Sequence, residues 1–255
     1  MRRKLLITFV VALFAPVLAF GYPNGTGMYV TDTGPFCASC HSAAKAEYMP
    51  ELEKEAAQNE TAEFKHYGLV MSLLPVSPYA ELTEAKKQEV IKTARAIDSN
   101  STVAITGPAK AKPLEEIKII VKARGGNGPA IAVMLVDRAL RFQSRAPASD
   151  GWLIVAEPVA KAQDNSVQNK WLDKRIKGLK RNLSFVTVFD QTFDLEKGIF
   201  PAAEVTYTLR APLSAGAYTL AAAFLYGTEN PASAAFFQRP SGRILFSDEL
   251  KIQVE

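Results

Sequence analysis

Beyond residue 101 the apolar side chains recur at every second position, in short runs set apart by glycine, proline and asparagine. That period constrains the fold more than any other feature, because successive side chains of a strand point to opposite faces. Eight runs carry it: Val103 to Ile105, Ile117 to Val121, Ala130 to Val136, Trp152 to Ala156, Phe185 to Phe189, Val205 to Leu209, Tyr218 to Tyr226 and Ile244 to Val254. Strands with one apolar face must bury it against a second sheet, so residues 101–255 are predicted to form an all-β antiparallel sandwich.

Ahead of residue 101 the period is near 3.6. Ser42 to Gln58 is rich in Ala, Glu and Lys, and its helical pattern is interrupted at Pro50. Thr61 to Leu74 repeats Phe64, Tyr67, Val70, Met71 and Leu74 at three- and four-residue steps, with Pro75 ending the pattern. Thr83 is placed to cap a third helix whose apolar face is Val90, Ile91, Ala94 and Ile97. Residues 22–36 are rich in turn formers and read as an irregular lead-in. The predicted class is therefore α+β in two domains, a small all-α domain over residues 22–100 followed by the β-sandwich over 101–255.

The first 21 residues read as an export signal. Arg2, Arg3 and Lys4 precede a nearly apolar run from Leu5 to Leu18, and Ala19-Phe20-Gly21 offers a cleavage site. The run is shorter than the roughly 20 residues that cross a bilayer, so the mature chain is expected in the periplasm or secreted, not as an integral membrane protein. Losing the signal leaves 27 basic against 26 acidic side chains, and no argument for nucleic acid survives that near-balance. The charge is uneven, however: residues 22–100 carry 7 basic and 11 acidic side chains, residues 101–255 carry 20 and 15.

Cys37-Ala38-Ser39-Cys40-His41 is the motif with the most chemistry. Two thiols three positions apart followed by an imidazole is the spacing that attaches a c-type haem, each thiol adding across one vinyl group and the histidine ligating the iron. A zinc site would need two further donors, yet the chain has no third cysteine and only one other histidine, His66. A redox dithiol would sit at a strand-to-helix turn of a βαβ unit, and no such pattern surrounds Cys37. One covalently bound haem c is the expected cofactor.

The motif, with Leu82 to Ile91 and Arg95-Ala96-Ile97, resembles the small c-type cytochromes, whose terminal helix this second segment is similar to; the resemblance covers about 80 residues. It implies a monohaem module held by Cys37, Cys40 and His41, and an electron carrier, not an enzyme. It also agrees with export, since such haems are attached outside the bacterial cytoplasm. The helix that usually precedes the haem motif has no room here, so the ordinary class I topology is not expected. Ala211 to Thr219 resembles a turn and strand of Ig-like and reeler-like modules, an analogy of architecture only.

The second axial donor is open between His66, which would give a bis-histidine iron of lower potential, and Met71; Met49 and Met28 are weaker candidates, and a vacant sixth position is a further choice. Lys170, Lys174, Arg175, Lys177, Lys180 and Arg181, interleaved with Trp171, Leu172, Ile176 and Leu179, form the one pronounced basic run. It reads either as a solvated face or as a docking surface for an acidic redox partner or for the acidic haem module. Gly125-Gly126-Asn127-Gly128 lacks the Lys-Ser/Thr of a phosphate loop and reads as a turn. Three functions are separable: single-electron transfer with the sandwich as a docking or assembly module, a haem-based catalytic or gas-binding subunit of a periplasmic oxidoreductase complex, and an adhesion or structural protein in which the motif is incidental.

Overall fold

The computed structural model describes residues 67–72, 79–139, 145–173, 183–228 and 242–255. Three α-helices are found among them, α1 (Gly68–Met71), α2 (Glu84–Ser99) and α3 (Lys170–Asp173). The strands are β1 (Thr102–Thr106), β2 (Lys110–Ala111), β3 (Glu116–Arg124), β4 (Ile131–Val136), β5 (Leu153–Ile154), β6 (Val159–Lys161), β7 (Val167–Gln168), β8 (Phe185–Val188), β9 (Ala202–Arg210), β10 (Gly216–Gly227), β11 (Gly242–Phe246) and β12 (Leu250–Val254).

Alternation of side chains sets the first sheet, whose order is β1-β3-β9-β6-β7 with β5 also paired to β9. Along β3 the residues Ile117, Ile119, Val121 and Ala123 are buried and their neighbours are not. The antiparallel register puts each opposite a buried partner on β9, namely Leu209, Tyr207, Val205 and Ala203. A one-residue slip would turn this whole set to solvent, so the apolar pattern itself fixes the pairing.

The second sheet has the order β2-β12-β10-β4-β8, with β11 paired to β10 beside β12. Here alternation fails, for a physical reason. All six residues of β4 and all four of β8 are buried. Ile131, Val133 and Leu135 belong to the core between the sheets, while Ala132, Met134 and Val136 belong to a second apolar cluster with Phe185, Ala221, Ala223, Leu225, Ile244 and Phe246. A sheet buried on both faces is written as a continuous apolar run. The β2–β12 pair is parallel, so the sandwich is not wholly antiparallel.

The inter-sheet core is centred on large side chains, among them Trp152, Trp171, Tyr207 and Phe224, each at most 1% exposed. Burying one such aromatic or aliphatic group stabilises the fold by about 2 kcal/mol. Trp152 meets Tyr218 edge-on, with ring centroids 5.9 Å apart.

Helix α2 starts where the Thr83 hydroxyl accepts a hydrogen bond from the Lys86 N–H at 3.4 Å. It buries Lys87, Ile91, Ala94 and Ile97. Ile91 and Ala94 pack with Tyr67, Val70 and Tyr79 in a small cluster, but Ile97 enters the core of the sandwich. Lys87 lies on the same buried face and directs its ammonium group to the Ser72 carbonyl at 3.3 Å.

These contacts overturn the predicted fold class. The described residues are mostly β-strand, α2 is the only α-helix among them longer than four residues, and they contain no small all-α haem domain. Helical periodicity in residues 83–99 was real, but it carries no information about the partner; the apolar stripe expected to pack on a haem ends in the core of the sheets. Among the described residues no helix is long and apolar enough to cross a membrane.

Candidate functional site

At the end of the inter-sheet core, three side chains from separate parts of the chain meet at the carboxylate of a fourth, Asp98. Asp98 is supplied by the last turn of α2, Tyr226 by the end of β10, Arg243 by the start of β11, and Tyr67 by the residue that leads into α1. Tyr226 and Arg243 are direct cross-strand partners, so the sheet register alone places them side by side.

The Tyr67 hydroxyl donates to Asp98 Oδ2 at 2.7 Å and the Tyr226 hydroxyl to Asp98 Oδ1 at 2.9 Å. Arg243 Nε donates to Oδ2 at 3.3 Å; its side chain is fully buried, whereas that of Asp98 is 16% exposed. The guanidinium of Arg95 lies 4.9 Å from the centre of the Tyr67 ring and that of Arg243 lies 5.9 Å from it. Tyr226 also stacks on Phe224, with centroids 4.9 Å apart. Burial, and then the adjacent Asp98 charge, push the Tyr226 phenol well above its ordinary value of 10.0, against the opposing pull of Arg243.

The backbone closes round this group. Ser101 Oγ donates to the Ile97 carbonyl at 2.9 Å and accepts from the Gly126 N–H at 3.2 Å. Gly125 and Gly126 have φ of 135° and 80°, and a Cβ would lie 2.1 Å from Ser101 Oγ at the first and 2.7 Å from the Tyr226 Cβ at the second. The glycine-rich segment is thus a turn between β3 and β4 that lets backbone approach the cluster, not an anion cradle.

Two phenols and a guanidinium converging on one carboxylate make a structural clamp. Each donor is directed at the same acceptor, and sequence separations of 31, 128 and 145 residues are bridged by it. Sequence reasoning missed it. One signal was present: an acid in the last turn of a helix opposes the helix dipole and calls for a cation elsewhere. Nothing in the sequence pointed to Arg243 as that cation.

Cys37, Cys40, His41 and His66 lie outside the described residues, as do Lys174, Arg175, Lys177, Lys180 and Arg181. Lys170 is described; it is exposed and ion-paired with Asp190. Its neighbours Trp171 and Leu172, read from sequence as part of a basic patch, are buried in the inter-sheet core. Met71 lies on α1 against the cluster around Ile91, and its sulfur accepts from Gln88 Nε2 at 3.6 Å. Among the described residues no three His, Cys, Asp or Glu side chains are grouped to hold a metal ion.

No protein-family model matches the chain, and no curated protein matches it. Among solved structures it is similar to AvmM, described as catalysing macrocyclization in alchivemycin A biosynthesis, at 10% identity over 61% of this chain and 88% of that one, with a TM-score of 0.29. It is likewise similar to CfaE, the adhesive subunit of the CFA/I fimbria of enterotoxigenic Escherichia coli, at 8% identity over 61% of this chain and 49% of that one, again with a TM-score of 0.29. At that level neither likeness carries a fold or an activity to this chain.

Proposed function

We propose that the chain is an exported monohaem c-type cytochrome that transfers single electrons, with the β-sandwich as a docking or assembly module. The observation that carries the reading is Cys37-Ala38-Ser39-Cys40-His41 behind a basic, apolar, small-residue N-terminus. The donor set suits a haem by its chemistry: Cys37 and Cys40 would supply thioether bonds, and His41 and His66 would supply imidazole donors to the iron. A bound haem supplies a one-electron couple.

The chain's own residues perform the rest. Cys37 and Cys40 would tether the group by thioether bonds, and His41 and His66 would hold its iron. Export to the periplasm and docking of a redox partner through the basic run that begins at Lys170 belong to the same proposal; the exposed side chain of Lys170 is consistent with it.

The test is a pyridine haemochrome spectrum of protein produced with a cytochrome c maturation system and recovered from the periplasm. A spectrum of haem c at one equivalent per chain is expected. Correctly exported protein with no haem overturns the reading and leaves the sandwich alone to account for the function.

A further inference from the structure

We infer that β1 is a dimerisation edge, at which two copies of this chain pair antiparallel about a two-fold axis through Ala104. This gives the assembly role of the sandwich a partner, and it stands or falls apart from the haem reading. The edge of a sheet carries unpaired backbone groups, and folded chains blunt it with short strands, charges, proline or cover. Among the described residues every edge but one is so treated. β2, β5 and β7 have two residues each, and β2 also carries the exposed Lys110. All of β8 is buried, as are four of the five residues of β11. By contrast β1 is five residues long, Thr102-Val103-Ala104-Ile105-Thr106, with no charge, proline or glycine, and among the described strands it pairs with β3 alone.

The strand is anchored at both ends. Ser101 before it is buried and bonded to the Ile97 carbonyl and the Gly126 N–H, and at Gly107 after it a Cβ would lie 2.5 Å from Ile119 Cδ1. Thr102, Ala104 and Thr106 are exposed, while Val103 and Ile105 pack on the inter-sheet core and are only partly buried. Reversed, the strand reads nearly the same. Antiparallel pairing centred on Ala104 therefore sets Thr102 against Thr106, Val103 against Ile105 and Ala104 against itself, the self-complementarity that a two-fold interface requires. Threonine pairs and other β-branched pairs are favourable cross-strand neighbours. Lys122 lies opposite Ala104 on β3. The two copies of it would thus be three strand spacings apart, about 14 Å, beyond the Debye length of about 10 Å at 0.1 M salt. Because the far edge of the sheet is blunted, association stops at two copies.

Sedimentation equilibrium of the mature full chain over a concentration series tests the pairing. Five residues a side is well under the roughly 20 of a stable interface, so a weak dimer that grows with concentration up to about 1 mM is expected. Ala104→Lys and Ala104→Glu each set like charges opposite one another at the axis, and each should weaken association about tenfold or more. An equimolar mixture of the two variants should recover the dimer, because opposite charges then meet at the axis. Leu213→Lys, at a 72% exposed side chain in the turn between β9 and β10, should associate as the wild type does. Far-UV circular dichroism checks that each variant is folded. Ala104→Glu gains Lys122 as a cross-strand neighbour, and it keeps the test open if Ala104→Lys does not fold. A chain that stays monomeric at every concentration overturns the inference. So do a dimer indifferent to both charges at position 104, a mixture that recovers nothing, loss of the dimer in Leu213→Lys, and growth beyond two copies.

Discussion

Asp98 is the residue on which most depends. Its carboxylate offsets a fully buried guanidinium, and taking one partner from a buried ion pair costs about 3 kcal/mol or more. Asp98→Ala is accordingly expected to lower the unfolding free energy by about 3 kcal/mol in urea titration, well beyond a surface substitution such as Glu196→Ala. The Tyr226 phenol gives a second prediction. In the folded chain it keeps its proton past the ordinary value of 10.0, whereas in the unfolded chain it loses it there. The unfolded state then binds fewer protons, so this group makes stability fall as pH rises above about 10. Ultraviolet titration of the phenolates should show a late step that accompanies unfolding, and Tyr226→Phe should reduce that step by one phenol. Neither Asp98 nor Tyr226 was singled out by sequence reasoning, because a residue's partner 128 positions away leaves no mark in local periodicity.

At the scale of elements, legibility followed length. The apolar runs at Ile117 and Val205 lie within nine-residue strands whose burial alternates as written. β2, β6 and β7, of two or three residues, were not recognised, since two residues cannot display a period. The long run from Ile244 to Val254 divides into β11 and β12, which lie end to end along the same edge of β10. Ser247, Asp248 and Glu249 mark the break, and the Ser247 N–H still pairs with the Ala222 carbonyl at 2.9 Å. The Thr83 cap was legible because capping is local; Thr83→Ala should cost at most about 1 kcal/mol, the bond being long and exposed. Gly125→Ala should cost more, about 3 kcal/mol in thermal or urea unfolding, because an added Cβ meets Ser101 at 2.1 Å and φ is 135°. On the outer face of the first sheet, Glu204 bridges Lys161 at 3.0 Å and Lys122 at 3.3 Å, and these hydrogen bonds hold its carboxyl below the ordinary value of 4.5. Such a group stabilises the fold above pH 4.5 and ceases to as pH falls through its folded value. With the site exposed, Glu204→Gln should cost under about 1 kcal/mol at neutral pH and nothing in acid.

For the molecule as a whole, the helix before residue 101 was expected to serve a separate haem domain, yet its C-terminal turn is built into the sandwich through Ile97 and Asp98. The period of a sequence names the element; it does not name the surface against which the element packs. That join connects the β-sheets to Tyr67 through Asp98 and Arg243. The electron-transfer account stands on covalent haem at Cys37 and Cys40, which mass spectrometry of natively produced protein measures most directly. The account predicts a mature chain heavier by about 616 Da than its polypeptide, with the added mass on the peptide containing Cys37 to His41. A chain of unmodified mass whose two thiols both react with an alkylating reagent would contradict it.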